Sequence, residues 1–339
     1  MKEYQPRLGY MDIFRGIGII LMVMGHVGFG NTFDYFIHAF HMPMFFFISG
    51  FFFVSMPEEE LKTMDFIIKK CKTLLIPYCF WGIFHYISIN TARYIVRGGV
   101  ETESLCHLCF INTEGLPIAG ALWFLTALFF ANIIYFLLDR YIGNNMIKTI
   151  LVIFLSLFGH VAAKFFTYRL PYALDASLVS LGLFHIAYIF KQHMNDSNII
   201  KLFSLNKLFW TISGIIVTVL IFINGYIGVR SGKYAIVPLF WINAIGAIIL
   251  GINFSKYLFD MEKKGKFFRF LIHELIYIGK NSMIYVVLNQ FFIYAIQKIT
   301  FYLGIDVLPA SIMLILVMVI LHICNIIFSI PKLKFAIGK

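Results

Sequence analysis

Charge is scarce in this chain. Only 13% of its 339 residues are charged, about half the share usual in soluble globular proteins. Acidic residues are the rarer sign, with 17 Asp and Glu against 28 Lys and Arg. So little charge excludes a soluble domain of this length, whose surface needs far more polar groups. Segments of alternating apolar and polar residues are missing as well, which argues against a β-barrel. Cysteines number five and are scattered. Cys106 and Cys109 make a C-x-x-C in a predicted outer loop, but no further ligand stands at zinc spacing; a disulfide and two incidental thiols remain open. No repeat and no low-complexity linker divides the chain, so 1–339 reads as one membrane-embedded domain. No small-residue cleavage site follows the first apolar run, so that run is expected to stay as a span.

What the chain has instead is apolar length. Hydrophobic residues make up 60% and aromatic ones 18%, in runs of about 20 that recur end to end, each enough to cross a bilayer core. The expected fold is all-α and polytopic, one bundle of about ten transmembrane helices. The predicted spans are 10–30, 35–55, 74–95, 119–138, 147–166, 173–191, 208–227, 235–255, 280–299 and 309–330. The ninth is the weakest of these, and Phe267 to Lys298 has an alternative reading as an interfacial helix followed by a span. Pro57, Pro117, Pro171 and Pro309 sit near span ends, where helix breakers are expected. "PEEELKTMDFIIKKCK" (Pro57 to Lys72) reads as a short amphipathic helix with Glu58 to Glu60 at its start and Lys69, Lys70 and Lys72 at its end, matching the helix dipole. With the N-terminus inside, most lysines and arginines fall on the cytoplasmic side, which predicts both termini in the cytoplasm. The formal charge of +11 is then topological: it speaks for membrane lipids and an anionic cofactor, and against nucleic acid.

The first span, "MDIFRGIGIILMVMGH" (Met11 to His26), holds Asp12, Arg15 and His26 among apolar residues. At helical spacing the three form one stripe, Arg15 and His26 separated by about 16 Å of rise. A charge facing lipid costs several kcal/mol, so the stripe faces protein or a watery cavity. Arg15 and Asp12 fall near the cytoplasmic surface and His26 in the outer half. In the second span, "FIHAFHMPMFFFISGFFF", His38 and His41 are three apart and expected on one face. Pro43 is expected to interrupt the helix, and Ser49 with Gly50 to allow close approach of a backbone or ligand. With only Asp34 nearby as a carboxylate, a polar cavity holding a proton acceptor is the better reading than a metal site.

At this point the chain resembles a known family. "DIFRGIGIILMVMGH" matches the Arg-x10-His signature of acyltransferase family 3, and "FHMPMFFFISGF" (Phe40 to Phe51) is similar to the second signature of its sugar O-acetylase, fucose O-acetylase-like branch. "KKCKTLLIPYCFW" (Lys69 to Trp81), "LWFL" (Leu122 to Leu125) and "IGKNSMIYVVLNQ" (Ile278 to Gln290) match further landmarks in order. The resemblance implies acyl transfer from cytoplasmic acyl-CoA, acetyl-CoA above all, to a hydroxyl of a cell-envelope glycan or lipid-linked sugar. The expected location is the plasma membrane, the inner one of a bacterium. Two positions depart from the pattern: Lys69 and Lys72 stand where family members often have arginines, keeping the charge but losing the bidentate fork, and Asn289 stands where many have a histidine. No appended extracytoplasmic domain is seen, so a membrane-only member is expected.

The residues are compatible with that chemistry. A thioester is already activated, so no metal is required, and a histidine suits removal of the acceptor proton. His26 is the expected general base, and Arg15, Lys69 and Lys72 the expected partners of the CoA phosphates. Asp12, His38, His41, Ser49, Trp123, Asp175, Ser282, Tyr285 and Asn289 are candidates to bind substrate or support those groups. Asp175 equally suits an N-cap, and Trp123 an interfacial aromatic. Ser282, Tyr285 and Asn289 share a predicted helix face. The rival from another class is a glycolipid or polysaccharide transporter, which would bring internal symmetry and matched broken helices; the sequence shows neither, although Pro43 gives one expected break.

Overall fold

The computed structural model describes residues 8–110, 112–114, 120–166, 168–194, 196, 206–305 and 307–339; Pro117 lies outside them. In chain order the helices are α1 (Gly9–Val27), α2 (Asn31–His38), α3 (His41–Phe51), α4 (Thr63–Lys70), α5 (Ile76–Arg97), α6 (Glu103–Cys109), α7 (Trp123–Tyr141), α8 (Asn145–Phe165), α9 (Leu174–Gln192), α10 (Lys207–Asn224), α11 (Val237–Asp260), α12 (Lys266–Lys280), α13 (Ser282–Tyr302) and α14 (Ala310–Phe328). Among the described residues there is no strand, only an isolated bridge between Gly228 and Lys233 in the loop before α11.

Eight described stretches are long and apolar enough to cross a membrane, namely α1, α7 to α11, α13 and α14 with their flanking turns. Large aliphatic side chains cover their outside. Ile215, Val219 and Ile223 on α10 and Ile315, Val319 and Ile323 on α14 are exposed, while Asp12, His41, Asn132 and Asn289 are buried in the bundle. Apolar outside and polar inside is the arrangement a lipid solvent favours.

The remaining two expected spans take other forms. The 35–55 segment is two helices of 8 and 11 residues, parted at Ala39 and Phe40, where Phe40 leaves helical geometry at φ −141°, ψ −20°. The expected break at Pro43 does not occur. Pro43 is the third residue of α3, where its missing N–H is a donor the first turn leaves unpaired in any case. The 74–95 segment is α5, whose 22 residues are long enough to cross but include His85, Asn90, Thr91 and Arg93, which keep it outside the apolar set. It is continuous with α4 through a π-helical turn, Cys71–Leu75. The preceding helix starts at Thr63, so Glu58 to Glu60 form a turn ahead of it rather than its first turn.

At the ninth span the chain adopts the two-helix alternative: α12 ends at Lys280, Asn281 leaves helical geometry (φ −117°, ψ 33°) and α13 begins at Ser282. The break lets α12 press against α1. A Cβ on Gly16 would collide with the Leu275 carbonyl oxygen, and one on Gly279 with that of Asp12, so both crossings need glycine. This contact fixes the N-terminal half of α1 and, with it, Arg15.

Candidate active site

His26 sits in the last turn of α1, just before Gly28 ends the helix in the left-handed region. Its Nδ1 lies 2.5 Å from Asn289 Oδ1 on α13. The Asn289 amide nitrogen donates to the Tyr285 carbonyl at 2.6 Å and the Val286 carbonyl at 2.8 Å. Carbonyls only accept, so the amide nitrogen belongs on that side and Oδ1 faces His26. An accepting Oδ1 in turn requires the proton on His26 Nδ1. In the neutral ring Nε2 then carries the lone pair, and His26 lines a cavity of about 400 Å³.

His38 and His41 line the same cavity. They lie on either side of the α2–α3 break rather than on one continuous helix face, and the break brings their rings to 4.8 Å between centroids. Nδ1 of His38 donates to the Asp34 carbonyl and Nδ1 of His41 to the Ile37 carbonyl, both at 2.8 Å. The proton is again on Nδ1 in each. Trp123, buried at the start of α7, forms part of the wall. Among the described residues no group of three or more His, Cys, Asp or Glu is placed to hold a metal ion.

A second cavity, about 250 Å³, lies further along α1 and is lined by Arg15, Ser49, Lys70, Asn132 and Ser282. Arg15 Nη1 donates to the Gly279 carbonyl at 3.5 Å and its guanidinium lies 5.3 Å from the Phe52 ring centre. Ser49 Oγ accepts from Asn132 Nδ2 at 3.2 Å. Gly50 beside it meets α9 so closely that a Cβ would strike the Phe184 carbonyl, the close approach expected of the Ser49–Gly50 pair. Phe45, Phe124 and Val286 line both cavities. One layer of side chains thus parts them, with Phe45 and Phe124 rings 5.7 Å apart.

Lys70 is the lysine that joins Arg15. Lys69 and Lys72 lie instead in a separate surface depression with Asp65, Thr73 and Phe335. Helix geometry separates them: Lys70 and Leu74, four apart, face inward, while Lys69, Lys72, Thr73 and Ile76 share the opposite face. Burial first, and then the like charge of Lys69, pull the Lys70 ammonium down to about 8.

The other candidates divide. Ser282 reaches the inner cavity and Asn289 reaches His26. Tyr285 is fully buried with its hydroxyl 3.4 Å from His322 Nδ1 and lines neither cavity. Asp12 is buried where α1 crosses α12 and lines neither cavity. Asp175 is not the N-cap of α9, which is Ala173; it is fully buried and paired with Arg169, whose Nη1 donates to the Arg230 carbonyl at 2.9 Å. Asp175 therefore anchors the loop after α10. Arg230 and Gln290, both lining the outer cavity, are absent from the sequence-derived set. Gln290 follows Asn289 and stands eight residues, about two turns, from Ser282, a signal within reach of the sequence. Arg230 carried only a loop charge.

This geometry is that of a polytopic helical membrane protein with a fixed-tautomer histidine and a pair of cations on opposite sides of one aromatic layer. The chain belongs to acyltransferase family 3: the family's model, an acyltransferase domain, matches residues 8–331. It is a membrane acyltransferase. No curated protein and no solved structure matches the chain.

Proposed function

We propose that the protein transfers an acyl group, acetyl in the first place, from acyl-CoA to a hydroxyl of a cell-envelope glycan or lipid-linked sugar, with His26 as general base. The observation that carries this reading is the Asn289 contact, which holds the proton on His26 Nδ1 and leaves Nε2 as the acceptor at the cavity. A base needs an unprotonated nitrogen within reach of the hydroxyl it activates.

The donor's phosphates lie with Arg15 and Lys70, and Lys69 and Lys72, in their separate depression, are not part of that contact. The rise from Arg15 to His26, about 16 Å on a helix, is comparable to an extended pantetheine arm. The arm crosses the Phe45–Phe124–Val286 layer and delivers the thioester to the outer cavity. There Nε2 of His26 takes the acceptor's proton as the hydroxyl oxygen bonds to the thioester carbonyl carbon. The C–S bond then breaks, and the thiolate leaves with the proton returned by the imidazolium. Trp123 offers an aromatic face to a sugar ring, and His38 and His41 offer Nε2 acceptors to its hydroxyls.

The test is an acyl-transfer assay on the detergent-purified chain with labelled acetyl-CoA and hydroxyl acceptors. Free CoA should appear only with an acceptor present, and His26→Gln should lower the rate by about 10²–10⁴-fold, the usual size of a general-base contribution. A fully active, normally folded His26→Gln protein would remove the base assignment. Glycolipid translocation without CoA release would favour the transporter reading.

A further inference from the structure

The outer cavity contains a cation, Arg230, whose terminal amino groups have no hydrogen-bond partner among the described residues. Among the described residues that line it, Arg230 is the one cationic side chain, and there is no carboxylate. The residue is fixed from two sides. Its Nε donates to the Thr113 carbonyl at 2.8 Å, and its own carbonyl accepts from Arg169, itself paired with the buried Asp175. Nη1 and Nη2 make no hydrogen bond to any described residue. The exposed Glu114 is near enough to act on the guanidinium's charge but forms no salt bridge with it.

Around those free amino groups the wall has room and unused polarity. A Cβ on Gly120 would lie 2.6 Å from Arg230 Nη1 and 3.0 Å from Gln290 Oε1, so only a glycine leaves the fork open there. Gln290 Oε1 and Thr113 Oγ1 are both buried without a hydrogen-bond partner. Among the described residues the amino groups of this half-buried guanidinium, the Gln290 oxygen and the Thr113 hydroxyl are thus unpaired, and burying polar groups without partners is costly. An arginine fork matches carboxylate and phosphate oxygens bidentately.

We infer that Arg230 is the specificity residue of the outer cavity, and that the acceptor carries an anionic group, a carboxylate or a phosphate, close to the hydroxyl that is acylated. Gln290 Oε1 receives a neighbouring hydroxyl of the same molecule. The charge also suits the reaction. When His26 takes the proton, the cavity holds an imidazolium as well as the guanidinium, and an anion on the acceptor offsets the pair. This inference rests on the acyl-transfer reading for its catalytic consequence, but not for the binding of the anion.

The test uses two matched pairs of acceptors with the full chain: methyl glucuronide against methyl glucoside, and glycerol phosphate against glycerol. The wild type should favour the charged member of one pair in kcat/KM by about tenfold or more, the scale of one charge-assisted contact. The pair that shows the preference identifies carboxylate or phosphate as the group. In Arg230→Gln the charged-to-neutral ratio should fall about tenfold, through KM, and Arg230→Lys should restore part of it. A ratio unchanged by Arg230→Gln, an equal loss on both members through kcat, or a wild type that prefers the neutral member of both pairs would overturn the inference. Binding of the same four compounds by calorimetry, with thermal unfolding of each variant, separates the two claims. Anion binding that depends on Arg230 without any turnover would sink the acyl-transfer reading alone. Turnover with no Arg230-dependent anion binding would sink the inference alone.

Discussion

The outer cavity and the inner cavity touch through Phe45, Phe124 and Val286 and have little else in common. The outer wall presents three imidazoles protonated on Nδ1 and therefore accepting on Nε2, an amide and a fixed guanidinium. The inner wall presents Arg15 and Lys70 with small hydroxyls and an amide. On the proposed reading the outer cavity moves the acceptor's proton and the inner one holds the donor's phosphates. A single helix, α1, supplies the central residue of each, and its ends are secured by different neighbours: α12 at the Arg15 end and α13, through Asn289, at the His26 end. Separating the two tasks along one rigid helix means that damage to one cavity should leave the other working.

Outside His26 and Arg15 themselves, the largest effect that sharpens this comparison is expected at Asn289. Asn289→Leu keeps the volume but leaves the His26 N–H unpaired in a buried setting, a loss of about 1–3 kcal/mol, or roughly 10–100-fold in kcat. Donor affinity should be unchanged, because the contact is in the other cavity. Steady-state kinetics with acetyl-CoA as the varied substrate would show the split, and a change confined to KM would contradict it.

A smaller effect distinguishes the lysines. Lys70→Ala should raise the KM for acetyl-CoA by several-fold up to about tenfold, the scale of one charge-assisted contact. The Lys69→Ala, Lys72→Ala double variant should change it less, because those side chains lie in a different depression. Kinetics on both proteins would decide; a larger effect from the double variant would move the phosphate site to the outer face of α4.

The smallest effect is a pH dependence. The Lys70 ammonium, lowered to about 8 by burial and Lys69, is charged below that pH and neutral above it. The charged form holds phosphate, so kcat/KM for the donor should fall as pH rises through about 8, by no more than the Lys70→Ala factor. Lys70→Arg should flatten that limb of the profile, and a wild-type profile flat from pH 7 to about 10 would show that Lys70 does not bear on the donor.

Much of this was legible in the sequence wherever one helix sufficed. The Arg15–His26 stripe follows from the helical repeat, as does the burial of polar groups inside an apolar bundle. What was not legible depended on more than one element. The α2–α3 break falls at Ala39 and Phe40, which carry no breaker signature, while Pro43 lies in a first turn that tolerates it. The choice of Lys70 over Lys69 and Lys72 depends on which face of α4 and its π turn packs inward, and three lysines within four residues leave that undecided. Asn289 read as a lost histidine; only its two backbone acceptors on α13 make it the group that sets the His26 tautomer. Arg230 reaches the cavity from a loop braced by Arg169 and Asp175, contacts 61 residues apart at the carbonyl and six at the ion pair.

The division of labour along α1 is tested most directly by measuring, on the same purified samples, the dissociation constant for acetyl-CoA and the rate of acyl transfer in His26→Gln and Arg15→Ala. The account predicts a crossed result. His26→Gln should bind the donor within about twofold of wild type and transfer about 10²–10⁴-fold more slowly. Arg15→Ala should bind about 10–100-fold more weakly and, at saturating donor, transfer at close to the wild-type rate. Parallel losses in both quantities for both variants would contradict it, since a single undivided site along α1 would then hold and activate the substrates together.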